Sequence, residues 1–204
     1  PSARRWFFGT LAATLLFRTW LAAAAPFTGD EAYFLVWGQM PAIGYYDHPP
    51  MVGWLLALLA PISKAEWVLR LPALLLPIAL AYGTRSVLTA WFGRPQATAD
   101  LAGALVMLVP MNVWNVLITT DAPLIFFSFG AIVLFARAAQ SNRRAGFLAA
   151  GICLGLAFLS KYFAVLLGLG MIAWALGQRD RRDAWSALGL VFLGALPAGR
   201  RTMY

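Results

Sequence analysis

The feature that most constrains this chain is its succession of apolar stretches, several long enough to cross a bilayer, parted by short polar groups. A hydrocarbon core of ~30 Å takes about 20 apolar residues as a helix. Runs of that order cover Trp6 to Phe27, Leu71 to about Leu88, Leu101 to Ile118 and Ala122 to Ala139. Shorter ones follow at Ala145 to Leu159 and Phe163 to Leu176, and a seventh begins near Trp185. Met51 to Ile62 is too short to span and suits the interface. Of 204 residues, 61% are hydrophobic and 12% charged, about half the ~25% charge of a soluble domain. Mean hydropathy is +0.72. The runs are continuous rather than alternating, which argues against a membrane β-barrel. The expected fold class is all-α: a polytopic transmembrane helical bundle of about seven spans, with interfacial helices in the first external loop, residues 28–50 and beyond.

Alternating these spans across a membrane sorts the charges. Ten arginines (Arg4, Arg5, Arg85, Arg94, Arg137, Arg143, Arg144, Arg179, Arg181 and Arg182) fall on one side, which the positive-inside rule makes cytoplasmic. The other side receives Lys64, Arg70, Lys161, Arg200 and Arg201, together with Asp30, Glu31, Asp47, Glu66 and Asp121, five of the eight acidic residues. The net charge of +8 is thus accounted for by membrane topology, and no groove-reading motif points to nucleic acid. The lone Cys153 rules out an intrachain disulfide. The first run could be read as a signal peptide, with small residues at Ala22 to Ala25 for cleavage. Arg18 breaks it where a signal peptide should be most apolar, and a retained first span, with Arg18 paired to an acid in the bundle, is the expectation. The whole of 1–204 reads as one module, with no internal repeat of the kind common in transporters.

Three groups on the acidic side could carry chemistry. In Gly29-Asp30-Glu31-Ala32-Tyr33, Asp30 and Glu31 are either a helix cap with its first-turn acid or a general base and a cation ligand. In Tyr45-Tyr46-Asp47-His48-Pro49-Pro50, Asp47 could cap the next helix ahead of proline. His48, the one histidine in the chain, has no such explanation; with Asp47 it could bind a divalent metal, and protonated it could hold a phosphate. Asp121 in Thr119-Thr120-Asp121-Ala122-Pro123 would cost on the order of 3 kcal/mol in lipid, so it belongs at the water boundary or an internal cavity. Lys161 is the nearest cation along the chain, unless it only snorkels to the interface.

In order and spacing these residues resemble the amino-terminal part of the polyprenyl-phosphate-dependent glycosyltransferases of the type C fold, the group of protein O-mannosyltransferases and the lipid A aminoarabinose transferases. The resemblance rests on Asp30-Glu31, Tyr45 to Pro50, Arg70-Leu71-Pro72, Thr119 to Pro123 and Leu159-Ser160-Lys161-Tyr162, and reaches to about Pro197. In the aminoarabinose transferases the stretch at Asp47 to Pro50 reads Glu-Lys-Pro-Pro, and its lysine approaches the lipid phosphate; here His48 replaces that fixed charge. The resemblance further implies an amino-terminal fragment, lacking later spans and a soluble domain, with Ala198 to Tyr204 not native.

The activity implied is transfer of a sugar from a polyprenyl-phosphate donor to an acceptor hydroxyl or phosphate on a lipid, glycan or protein, with inversion, at the outer face of the bacterial inner membrane. Asp30 is the expected base, with Asp121 positioning the acceptor or sharing that role. Glu31, Tyr46, His48, Lys161 and Tyr162 are expected at the substrate, His48 and Lys161 on its phosphate. A divalent metal ion near Glu31, Asp47 and His48 is expected, and no nucleotide cofactor. A transporter or lipid-carrier flippase is the alternative, but it predicts acids at midplane depth, and a non-catalytic scaffold predicts no clustering.

Overall fold

The computed structural model describes residues 2–199, all helix and connecting segments; Arg200 and Arg201 lie outside them. The helices are α1 (Ser2–Ala24), α2 (Gly29–Gln39), α3 (Met51–Leu59), α4 (Glu66–Leu69), α5 (Leu71–Ala90), α6 (Gln96–Leu108), α7 (Pro110–Trp114), α8 (Asp121–Ser141), α9 (Arg144–Ser160), α10 (Val165–Leu176) and α11 (Arg181–Gly199). Among the described residues no strand occurs. Among the described residues three helices, α1, α5 and α8, are long and apolar enough to cross a membrane. The expected first loop is half helical, because α2 begins directly after the turn at Phe27–Thr28.

The chain forms two units, one of residues up to Gln39 with Leu55–Ala122, the other of Met40–Trp54 with the residues from Pro123 onward. In the first, α1 and α5 run antiparallel: Phe7 packs on Ala81 and Met107 at one end, and Ala22 on Leu74 and Val116 at the other. The segment 96–118 follows α1 along its length, and the single span expected over Leu101 to Ile118 is not one helix. It breaks at Val109, which is extended at φ −56° and ψ 129°. Pro110 is the cause: its ring pushes the preceding residue out of the helical region, and its missing N–H denies the Val106 carbonyl its donor four residues on, leaving only the Val109 N–H at 3.4 Å. The Asn112 side chain donates to that carbonyl instead, at 2.7 Å.

Two further prolines lie four residues beyond a carbonyl that a buried side chain satisfies. Pro26 deprives the Ala22 carbonyl, and Arg70 Nη1 donates to it at 2.6 Å. Pro77, inside α5, deprives the Ala73 carbonyl, and Arg18 Nη2 donates to it at 2.5 Å. Arg18 also donates to the Asn112 carbonyl and, at 3.4 Å, to Val113. Its expected acidic partner is replaced by backbone. In a medium without water such carbonyls must be bonded internally, and guanidinium, with five donors in a fork, suits the task. At the other end of this unit Arg85 pairs with buried Asp100 at 2.5 Å, and Gln96 donates to the same carboxylate at 2.8 Å.

In the second unit α8, α9, α10 and α11 share a core that includes Ala131, Phe135, Phe147, Leu154, Met171 and Leu188. Helices α9 and α11 approach so closely that a Cβ on Gly151 would lie 2.0 Å from the Val191 carbonyl oxygen, and one on Gly194 2.4 Å from that of Leu148. Small residues permit this contact where no hydrophobic force separates helix from lipid.

Candidate functional site

The acidic pair after α1 divides its labour. Thr28, not Asp30, caps α2: its hydroxyl oxygen accepts from the Glu31 N–H at 3.3 Å, while Glu31 Oε2 accepts from the Thr28 N–H at 3.0 Å. This is a reciprocal capping box, and its signature Thr-x-x-Glu is readable in Thr28-Gly29-Asp30-Glu31. Asp30 is left exposed in the first turn, with no side-chain hydrogen bond among the described residues.

Glu31 is fully buried and faces a fully buried arginine. Arg70 Nε donates to Oε1 and Nη2 to Oε2, each at 2.8 Å. Nη1 continues to the carbonyls of Ala22 and Ala25 at the end of α1, and Nη2 to Pro26 at 3.2 Å. The Ile118 N–H completes the cluster, donating to Glu31 Oε1 at 3.0 Å. Burial alone would raise the Glu31 carboxyl, but the bonds from Arg70, Ile118 and Thr28 and the Arg70 charge outweigh it and hold the group below the ordinary carboxylate range. The same bond from Glu31 outweighs burial at Arg70 and raises its pKa.

Four segments of the first unit meet at this pair: the end of α1, the start of α2, the start of α5 and residues leading into α8. Asp30 is the neighbour of Glu31 in sequence, and Asp121 follows Ile118 by three residues, at the first position of α8. Both candidate catalytic acids therefore stand on segments that one buried ion pair anchors. Asp121 is half-buried and has interactions of its own.

Glu31 was expected at the substrate and at a metal ion; here its oxygens accept from Arg70, Thr28 and Ile118. Sequence reasoning passed over Arg70 as a functional residue; the available signal was a lone arginine before Leu-Pro on the acidic side.

In the second unit, residues 40–54 fold on themselves. The Tyr45 N–H donates to the His48 carbonyl at 3.0 Å, the Tyr45 hydroxyl donates to Met40 and accepts from Ala42, and Trp54 Nε1 donates to Ala42 at 2.7 Å. Pro49 and Pro50 are buried beneath. This frame presents Tyr46, fully exposed, and brings His48 Nδ1 within 3.1 Å of Asp47 Oδ2. Lys161 ends α9 in extended conformation, and its ammonium lies 5.4 Å from the centre of the Phe163 ring, within the range of a cation–π contact. Tyr162 beside it is exposed. From Ala164 onward the chain lines an apolar cavity of about 250 Å³ with Leu154 and Phe158 of α9, Ile172 of α10 and Phe192 of α11. Among the described residues no three His, Cys, Asp or Glu side chains gather as a metal site.

Residues 47–198 match the family model described as dolichyl-phosphate-mannose-protein mannosyltransferase. Over 183 residues the chain is 33% identical to the lipid A galacturonosyltransferase RgtD of Rhizobium johnstonii, a match covering 85% of the chain and 38% of that relative. The chain thus spans well under half the length of the curated relative it matches. No solved structure matches.

Proposed function

Since the chain belongs to the dolichyl-phosphate-mannose-protein mannosyltransferase family, we propose that its parent enzyme is a membrane glycosyltransferase that moves a sugar from a polyprenyl-phosphate donor to an acceptor on the extracytoplasmic side. The name of the galacturonosyltransferase relative favours galacturonic acid as the sugar and lipid A as the acceptor. The observation that carries the reading is the exposed Asp30 carboxylate, released from capping by Thr28 and held in place by the buried Glu31–Arg70 pair.

In this reading an acceptor hydroxyl attacks the anomeric carbon of the donor. The bond from that carbon to the phosphate oxygen breaks, its electron pair leaves with the polyprenyl phosphate, and Asp30 takes the hydroxyl proton. Attack opposite the leaving group inverts the anomeric centre. Asp121 orients the acceptor. Lys161 and His48 offset the charge that gathers on the departing phosphate, the usual demand of such a step, and the exposed Tyr46 and Tyr162 supply contact surface to the sugar. The cavity beyond Ala164, lined by apolar side chains, suits part of the prenyl tail. A divalent ion, if bound, would draw on Asp47 and His48, which lie 3.1 Å apart, while Glu31 is bonded to Arg70.

The test is Asp30→Asn in the full-length enzyme. Asparagine cannot accept the proton, and general-base catalysis contributes about 10²–10⁴-fold, so turnover should fall by that factor with donor affinity retained. Thr28 remains as the cap, so the helix should be undisturbed. Near-normal turnover in a folded variant would transfer the base role to Asp121.

A further inference from the structure

Arg18 sits in the carboxy-terminal third of α1, 2% exposed, and no part of the proposed reaction uses it. A charge buried in a membrane span is costly and generally has a task. Among the described residues it forms no ion pair; all its bonds go to carbonyls, and each of these is one that its own helix cannot satisfy. Ala73 lacks a donor because Pro77 has no N–H. Asn112 and Val113 lack one because α7 ends at Trp114, so the amides of residues 116 and 117 are no longer in helical register.

The segment beyond α7 is short and irregular, and it leads to the site. From Asn115 to Thr120 no helix holds it. Within it the Leu117 N–H donates to Asn115 Oδ1 at 3.3 Å. Ile118 is tied to Glu31, and α8 opens at Asp121. One end of the segment is therefore fixed by Arg18 and the other by the Glu31–Arg70 pair. A connector held at only one end regains conformational freedom, about 1–2 kcal/mol of entropy for each released residue.

We infer that Arg18 is a positioning residue for Asp121: by gripping the carbonyls of Asn112 and Val113 against that of Ala73, it fixes the start of the segment whose far end places the Asp121 carboxylate. The inference rests on the reading of Asp121 as a residue that orients the acceptor. The guanidinium fork is essential to it. A lysine keeps the charge, yet its single ammonium cannot bridge α5 and α7 as the two terminal nitrogens of arginine do.

The experiment uses the full-length protein in detergent with Cys153→Ser and a reporter, Thr120→Cys, at a position now buried to 3% exposure. Arg18→Lys should raise the rate at which N-ethylmaleimide modifies this cysteine, and it should slow sugar transfer by up to about 10²-fold, the cost of an ångström-scale misplacement. Introduced beside Asp121→Asn, the same change should slow transfer little further, since coupled residues are not additive. Pro77→Ala returns an N–H to Ala73, so the pair Arg18→Lys/Pro77→Ala should be more stable than Arg18→Lys alone and allow the measurement should the single variant fold poorly. An unchanged labelling rate at position 120, or losses that multiply fully with Asp121→Asn, would overturn the inference. The reading beneath it fails separately, if Asp121→Asn alone transfers with the parent's rate and acceptor dependence.

Discussion

Three prolines in the first unit, Pro26, Pro77 and Pro110, each strip a carbonyl four residues earlier of its helical donor, and Arg70, Arg18 and Asn112 supply a replacement. The consequence is that both buried arginines act as backbone braces, Arg70 while also holding Glu31. Arg70→Leu leaves a buried carboxylate alone, so a loss of about 3–5 kcal/mol is expected, measurable as a lower unfolding midpoint in detergent. The pair also sets an acid limit. Glu31 is depressed in the folded state from its ordinary 4.5, so its stabilisation is complete above that pH and is lost as pH falls through the lower folded value. Stability between pH 7 and 5 should not change through this group; acid unfolding should begin below 4.5 in the parent, and Glu31→Gln should remove that dependence. At His48 the prediction concerns affinity. If the imidazolium holds a lipid phosphate, His48→Lys should retain donor binding better than His48→Ala, whereas equal affinity in all three forms would remove His48 from the phosphate.

At the scale of elements, apolar runs located α5 and α8 to within two residues and α1 to within four, because hydropathy and length largely decide them. The expected span from Leu101 to Ile118 failed as one helix, since a hydropathy window averages across Val109-Pro110, both flanked by apolar residues. The capping box Thr28-Gly29-Asp30-Glu31 is written in the sequence, although Asp30 was the expected cap. The partners of Arg18 were not legible at all: they are backbone atoms some fifty-five and ninety-four residues away, and carbonyls leave no mark in a side-chain sequence. Nor could sequence show that Glu31 is an anchor while its neighbour Asp30 is exposed, because that difference arises from which face of α2 meets Arg70. The α9–α11 contact carries its own test. Gly151→Leu would drive a side chain into the Val191 backbone, where even a Cβ would stand at 2.0 Å. Overpacking of this kind costs at least about 1–3 kcal/mol, so Gly151→Leu should lower the unfolding midpoint, whereas Gly170→Leu, at a position with open space around its Cα, should leave it nearly unchanged.

For the whole molecule, the reading demands that the acids and the sugar donor meet on one face of the membrane. Single cysteines near Asp30, Asp121 and Lys161 in a Cys153-free background should all react with an impermeant thiol reagent from outside intact cells. Reaction of position 121 only after lysis would overturn the charge sorting that places five of the eight acids externally. Arrival of the sugar on a lipid phosphate is tested by supplying it in that form. Purified full-length enzyme would be given radiolabelled polyprenyl-phosphate galacturonic acid and lipid A, with every nucleotide sugar withheld. Label is expected in the lipid A with inverted anomeric configuration, reduced about 10²–10⁴-fold by Asp30→Asn. Label that enters only when a nucleotide sugar is added, or with retained configuration, would contradict it.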